Sequence, residues 1–134
     1  MATLNSIEYV TIATASNATD FGDMTVTDRS RAGLSNTTRG VFAGGVINAV
    51  SNIIDYVTIQ TTGNATDFGD LTVARGNTGG NSGDASRGLF HGAYNSNSTL
   101  GTVIDYITIA TTGNATDFGD LTVGREQAAG TAGT

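Results

Sequence analysis

Three oxygen-bearing side chains stand three residues apart beside a glycine turn at Asn64, Asp67 and Asp70. The same trio recurs at Asn17, Asp20, Asp23 and at Asn114, Asp117, Asp120. Such spacing has two chemical readings: oxygen ligands for Ca²⁺, or side chains that close a turn through nearby backbone bonds. The full alternation of a calcium loop is missing, so turn closure is the expectation and no metal site is assigned. The letters Asp-Phe-Gly inside the trio match the magnesium-binding tripeptide of protein kinases. All six cationic residues are Arg, so there is no phosphate-gripping lysine, and one tripeptide repeated at Asp20, Asp67 and Asp117 does not build one phosphotransfer site.

Glu8, Asp55 and Asp105 share one repeated position, and Arg39 and Arg87 share another on the preceding segment. Carboxylate and guanidinium at fixed places on neighbouring strands predict structural ion pairs, because the two groups match as a bidentate fork. A hydrolytic reading of these acids needs a partner acid in a cleft, which the repeat does not single out. His91 stands outside the repeat, where the preceding copy has Ala43, and Tyr94, Asn95 and Asn97 follow it. An aromatic ring beside amides suits stacking on a sugar and hydrogen-bonding its hydroxyls, so these four residues form the candidate ligand-binding loop. Asn17, Asn36, Asn64, Asn97 and Asn114 also fit the N-glycosylation pattern, but three of them belong to the repeated turn.

The elements that position these residues follow from composition and repetition. The 134 residues include 19 Gly, 23 Thr, no Pro and no Cys, and carry a net charge of -6. Without Cys there is no disulfide framework or thiol chemistry, and with one His no histidine-rich zinc site forms within the chain. The acidic balance lacks the basic stripe that nucleic acid requires. No apolar run reaches the roughly 20 residues of a spanning helix, and Met1 to Ser6 lacks the pattern of a signal peptide.

Ile7–Val26, Ile54–Val73 and Ile104–Val123 are three copies of one segment, spaced by 47 and 50 residues. The second and third agree at 18 of 20 positions and the first and second at 15 of 20. A second element, Arg39-Gly-Val-Phe-Ala-Gly-Gly45, returns as Arg87-Gly-Leu-Phe-His-Gly-Ala93. This divides the chain into a partial unit, 1–38, and two complete repeats, 39–86 and 87–134.

Each copy predicts strands rather than helices. Ile54–Ile59 is β-branched and aromatic with apolar side chains on both faces, the mark of a strand covered on two sides. Gly63-Asn64 predicts a tight hairpin turn with positive φ. Ala65–Val73 returns with Phe68 as its anchor, matched by Phe21 and Phe118, with Tyr9, Tyr56 and Tyr106 expected nearby. Phe42 and Phe90 anchor the Arg-Gly strand, and the small-residue stretches Ala32–Asn36 and Gly76–Ser82 supply a fourth. The fold class is all-β, with about four short antiparallel strands in each repeat of 47–50 residues.

Four strands in this length, closed on both faces, resemble the blades of the kelch and galactose-oxidase-like propeller families. Phe42-Ala-Gly-Gly45, Tyr56, Phe68 and Arg75 follow that family's order, and Phe90, Tyr106, Phe118 and Arg125 repeat it. The text of the repeat also resembles the kelch-like virion proteins of marine bacteriophages. The resemblance implies an incomplete ring of propeller blades in one chain. It also implies a non-enzymatic virion or extracellular surface protein, a tail-fibre or appendage module that attaches to a host through loops. The alternative is a cellular kelch-type interaction or carbohydrate-binding module. No cofactor is expected, since a galactose-oxidase copper site needs more than one His and a Cys. Expected partners are a further copy of the chain, head to tail with a dimer favoured, or the remainder of a longer propeller, and a cell-surface glycan.

Overall fold

The computed structural model describes residues 4–78 and 80–132, and of residues 80–82 it describes the backbone. Ten strands follow one another: β1 (Leu4–Tyr9), β2 (Thr19–Asp28), β3 (Ala32–Ser35), β4 (Arg39–Ala43), β5 (Ser51–Thr58), β6 (Thr66–Arg75), β7 (Gly80–Gly83), β8 (Arg87–His91), β9 (Val103–Thr108) and β10 (Thr116–Asp120). They form a two-stranded sheet, β1-β2, and two four-stranded sheets, β3-β4-β5-β6 and β7-β8-β9-β10. All pairings of these strands are antiparallel. The protein is all-β, and no helix among the described residues is long and apolar enough to cross a membrane.

The sheets are offset from the sequence units 39–86 and 87–134. The small-residue segment Ala32–Ser35 pairs with β4, not with β2, so each four-stranded sheet opens on its small-residue strand and closes on its Phe strand. β3 lies against β7 of the next sheet. One core spans the two four-stranded sheets, built from Val41, Ile54, Phe68 and Leu71 of the first and Phe90, Ile107 and Ile109 of the second and its following turn.

The Asp-Phe-Gly tripeptide is a β-bulge. Across β5 and β6, Ile54 faces Gly69 and Asp55 faces Asp67, leaving Phe68 as the extra residue. The same shift leaves Phe21 and Phe118 unpaired in their hairpins. A bulge of this kind needs a residue that tolerates positive φ, and Gly22, Gly69 and Gly119 take φ of 146°, 143° and 144°. The extra residue is turned onto the Tyr strand, where the pairs Tyr9–Phe21, Tyr56–Phe68 and Tyr106–Phe118 meet edge to face at 5.8, 5.9 and 6.1 Å.

Two local expectations are corrected. Gly63-Asn64 does not form a tight turn with the asparagine at positive φ. The positive-φ residues other than glycine, among those described, are Ser30, Asn77, Ala93, Ser98 and Gln127. The connection instead runs from Ile59 to Ala65, and its second half lies along the bulge of the preceding sheet. The three phenylalanines are also unequal: Phe21 and Phe68 are 8% and 2% exposed, whereas Phe118 is 56% exposed because no described segment covers its bulge. Phe90 is fully buried and Phe42 half-buried.

Phe68→Ala should therefore lower stability by about 3 to 5 kcal/mol, the cost of emptying a packed aromatic site. Phe118→Ala should cost less than half as much in the isolated chain. Urea midpoints of the two variants at one protein concentration check the ranking.

Candidate functional site

Among the described residues one polar site is buried between sheets and another is open at the loops. The buried site is built on the carboxylate of the Tyr strand. Asp55 and Asp105 have no exposed surface. Asp55 accepts hydrogen bonds from Thr25 Oγ1 at 2.7 Å and Arg31 Nη1 at 2.8 Å, both from the preceding unit. Asp105 accepts from Thr72 Oγ1 at 2.5 Å, from the Thr72 backbone N–H at 3.1 Å, and from Arg75 Nη2. Burial pushes the Arg75 guanidinium below its ordinary range, and the charge and hydrogen bond of Asp105 oppose the shift.

The guanidinium partners differ from the expected Arg39 and Arg87. Arg39 stacks on the Tyr56 ring, 4.4 Å from its centroid, and donates from Nη1 to the Ile109 carbonyl at 2.9 Å. Arg87 stacks on Tyr106 at 4.9 Å. The physical cause lies in the register: β4 and β8 place their arginines opposite Thr58 and Thr108, beyond the acids, which face Phe42 and Phe90 instead. Glu8 is exposed and makes no salt bridge among the described residues.

In the first junction the residue aligned with Arg75 is Asp28, and the cation comes three residues later from Arg31. Asp28 accepts from Arg31 Nε at 2.6 Å and so aims the guanidinium at Asp55. The two junctions thus reach one chemistry by different residues. Asp105→Asn should cost about 3 to 5 kcal/mol, because Arg75 is left as an uncompensated buried charge. Asp55→Asn should cost less, since Asp28 still neutralises Arg31. Denaturant titration of both variants gives the comparison.

Two asparagines of the Asn–Asp–Asp trios bond to backbone of the preceding unit. Asn64 Oδ1 accepts from the Asp23 backbone N–H at 3.0 Å, and Asn114 Oδ1 from that of Asp70 at 3.1 Å, across the junctions rather than within their own turns. Among the described residues no group of three or more His, Asp or Glu is placed to hold a metal.

The open site lies where the β4–β5 and β8–β9 connections meet. A groove of about 290 Å³ is lined by Val46, Asn48, Ala49, Val50, Tyr94, Asn95, Ser96 and Ser98. Each connection is pinned by one residue bridging back to the preceding unit: Val46 pairs with Arg29 and Tyr94 with Gly76. Gly76 admits no side chain, because a Cβ there would run into Val46 and stand 3.3 Å from the Tyr94 ring. Asn95 Oδ1 accepts from the backbone of Asn97 at 3.0 Å and Thr99 at 3.2 Å, which shapes its own loop.

Of the four residues expected to bind ligand, Tyr94 and Asn95 line this groove, while Asn97 is exposed and His91 sits half-buried at the end of β8, outside it. Asn48 and Val46 on the opposite wall are not singled out by the sequence. A signal for them exists, since residues 44–52 and 92–103 are the stretches that differ between repeats. What the sequence does not give is that the two stretches lie side by side.

His91 has a buried Nδ1 without a hydrogen-bond partner. Burial first, then the positive charges of Arg75 and Arg125, hold its imidazole below the ordinary 6.5. As pH falls the unfolded chain takes up the proton before the folded one does. The stability present above pH 6.5 is therefore lost as pH drops below that value toward the lower folded pKa. His91→Gln should flatten this part of the profile. Urea midpoints at about pH 7.5 and about pH 5 would show a smaller difference in the variant than in the parent.

No protein-family model matches the chain, and no curated protein matches it.

Proposed function

We propose that the chain is a non-enzymatic repeat scaffold of propeller-type blades that displays loops for recognition. On this reading it is a structural and host-attachment protein of a virion or other extracellular surface, and its ligand is a neutral glycan. The observation that carries the reading is the division of labour among polar side chains. The buried acids and several repeated polar side chains serve the scaffold: Asp55 and Asp105 pair with arginines and threonines, Asn64 and Asn114 with neighbouring bulges, and Arg39 and Arg87 stack on tyrosines. The groove is lined instead by residues whose identities differ between the two repeats. None of them is charged, one is aromatic, and the rest are amides, hydroxyls and small apolar groups.

That lining suits a sugar, whose apolar face stacks on a ring and whose hydroxyls pair with amides. A net charge of -6 disfavours polyanions such as nucleic acid. The blade assignment is supported by the sequential strand order in each sheet and by the contact between the small-residue strands of adjacent sheets.

The test is a glycan array of bacterial surface polysaccharides, followed by titration of any hit against Tyr94→Ala combined with Asn48→Ala. Affinity should fall at least about tenfold while the unfolding midpoint shifts by less than about 1 kcal/mol equivalent. Undiminished binding by the double variant would place recognition elsewhere.

A further inference from the structure

The two junctions inside the chain define a template whose halves also occur once each without a counterpart among the described residues. At the first junction Gly63 N–H donates to Phe21 O at 2.7 Å, Ala65 N–H to Asp23 O at 2.7 Å, and Asp23 N–H to Asn64 Oδ1 at 3.0 Å. At the second, Gly113 donates to Phe68 O at 2.8 Å, Ala115 to Asp70 O at 2.8 Å, and Asp70 to Asn114 Oδ1 at 3.1 Å. Below each turn the Tyr-strand acid is held by a threonine and an arginine of the preceding unit. The contact is thus a turn laid on a bulge and an acid laid on a cation.

Among the described residues, the third bulge has no turn on it. Phe118 is 56% exposed, and a Cβ at Gly119 meets nothing within 4 Å, whereas at Gly69 it would stand 2.5 Å from the Gly113 carbonyl oxygen. Thr122 and Arg125, aligned with Thr72 and Arg75, are exposed and hold no acid. The first turn, Ser16-Asn17-Ala18, is equally exposed, and so is Glu8 beneath it. Val10 and Ile12 on this side are 53% and 99% exposed, while their counterparts in the third copy, Ile107 and Ile109, are 3% and 0% exposed.

We propose that these two faces bind each other between two copies of the chain, head to tail. The inference rests on the reading of the chain as a repeat scaffold and names that scaffold's partner. In the contact Ser16 N–H donates to Phe118 O, Ala18 N–H donates to Asp120 O, and Asn17 Oδ1 accepts from Asp120 N–H. Glu8 takes the place of Asp105 and accepts from Thr122 and Arg125, its extra methylene shortening the reach required of the guanidinium. Serine fits where the template has glycine, because a Cβ built on Gly63 in its docked position meets nothing within 4 Å. Charge, hydrogen-bond pattern and apolar surface therefore match at once, and the contact is heterologous, so it propagates or closes into a ring.

The experiment is sedimentation equilibrium of the 134-residue chain from about 1 to about 100 µM, with Glu8→Arg, Arg125→Glu and their equimolar mixture. Both residues are exposed, so each variant should fold, which circular dichroism verifies. The parent should sediment at a multiple of 13.6 kDa. Each single variant opposes like charges in the contact and should associate at least about a hundredfold more weakly. The mixture should regain the parental mass, because the arginine introduced at position 8 of one variant then meets the glutamate introduced at position 125 of the other. A parent that remains at 13.6 kDa throughout overturns the proposal, as do single variants that assemble like the parent or a mixture that stays monomeric. The glycan titration is independent: a monomer that still binds glycan sinks the docking alone, and an assembly that binds none sinks the recognition reading alone.

Discussion

A carboxylate carried to zero exposure on the Tyr strand organises the molecule. An ionised carboxylate taken out of water costs several kcal/mol unless its oxygens are met by a cation and further donors. Its own sheet does not supply them, since the residues opposite Asp55 and Asp105 on the inner neighbouring strand are Phe42 and Phe90. The donors come from the preceding unit: Thr25 and Arg31 for one acid, Thr72 and Arg75 for the other. One sheet is therefore not electrostatically complete without its neighbour. The order of the sheets is written into the side on which each acid finds its base.

The bulge extends the same dependence to the backbone. At the bulge the outer edge of β6 presents the carbonyls of Phe68 and Asp70 and the N–H of Asp70 to the next unit. The turn at Gly113, Asn114 and Ala115 pairs with all three. Stability in such an array is a sum of unit terms and nearest-neighbour terms, and here the neighbour term holds the buried ions, the aromatic anchor and these hydrogen bonds. The inequality between Phe68 and Phe118 is a direct reading of that term, because the two residues sit in identical local sequence and differ only in what lies across the junction.

That identity also explains how far the sequence can be read. Strand existence and the meeting of tyrosine with phenylalanine follow from local pattern and from repetition, and these agree with the structure, whereas the small-residue strand belongs to the sheet that follows it. The Ile59–Ala65 connection escapes such a reading because Gly-Asn is a strong hairpin signal when the amide acts locally. Asn64 instead spends its oxygen on a backbone 41 residues away. The arginine partners escape it for a related reason. Alignment places Asp28 where Arg75 stands, and nothing in one dimension shows that Arg31, three residues on, fills the same space with Asp28 steering it. Signals within a repeat are legible, whereas substitutions that compensate across a junction become legible only when the two sides are seen together.

The groove lies among residues that the buried ion pairs and the turn-on-bulge contacts do not use, and its rigidity has a structural source. Ala93 stands where the preceding repeat has Gly45 and takes φ of 94° against 124° for the glycine. An alanine held there carries backbone strain that persists only where the surroundings over-determine it. They do: Ala93 is fully buried, its N–H donates to Arg125 O at 2.8 Å and its carbonyl accepts from Gly101 at 2.7 Å. Tyr94, the next residue, exchanges two backbone bonds with Gly76. The ring that forms one wall of the groove is thus fixed to the preceding sheet, and the Val46 wall is fixed through Arg29 to the sheet before that. A binding surface whose walls are anchored in different units keeps its width only while those units stay in register. The buried acid that orders the sheets accordingly sets the shape of the loops as well.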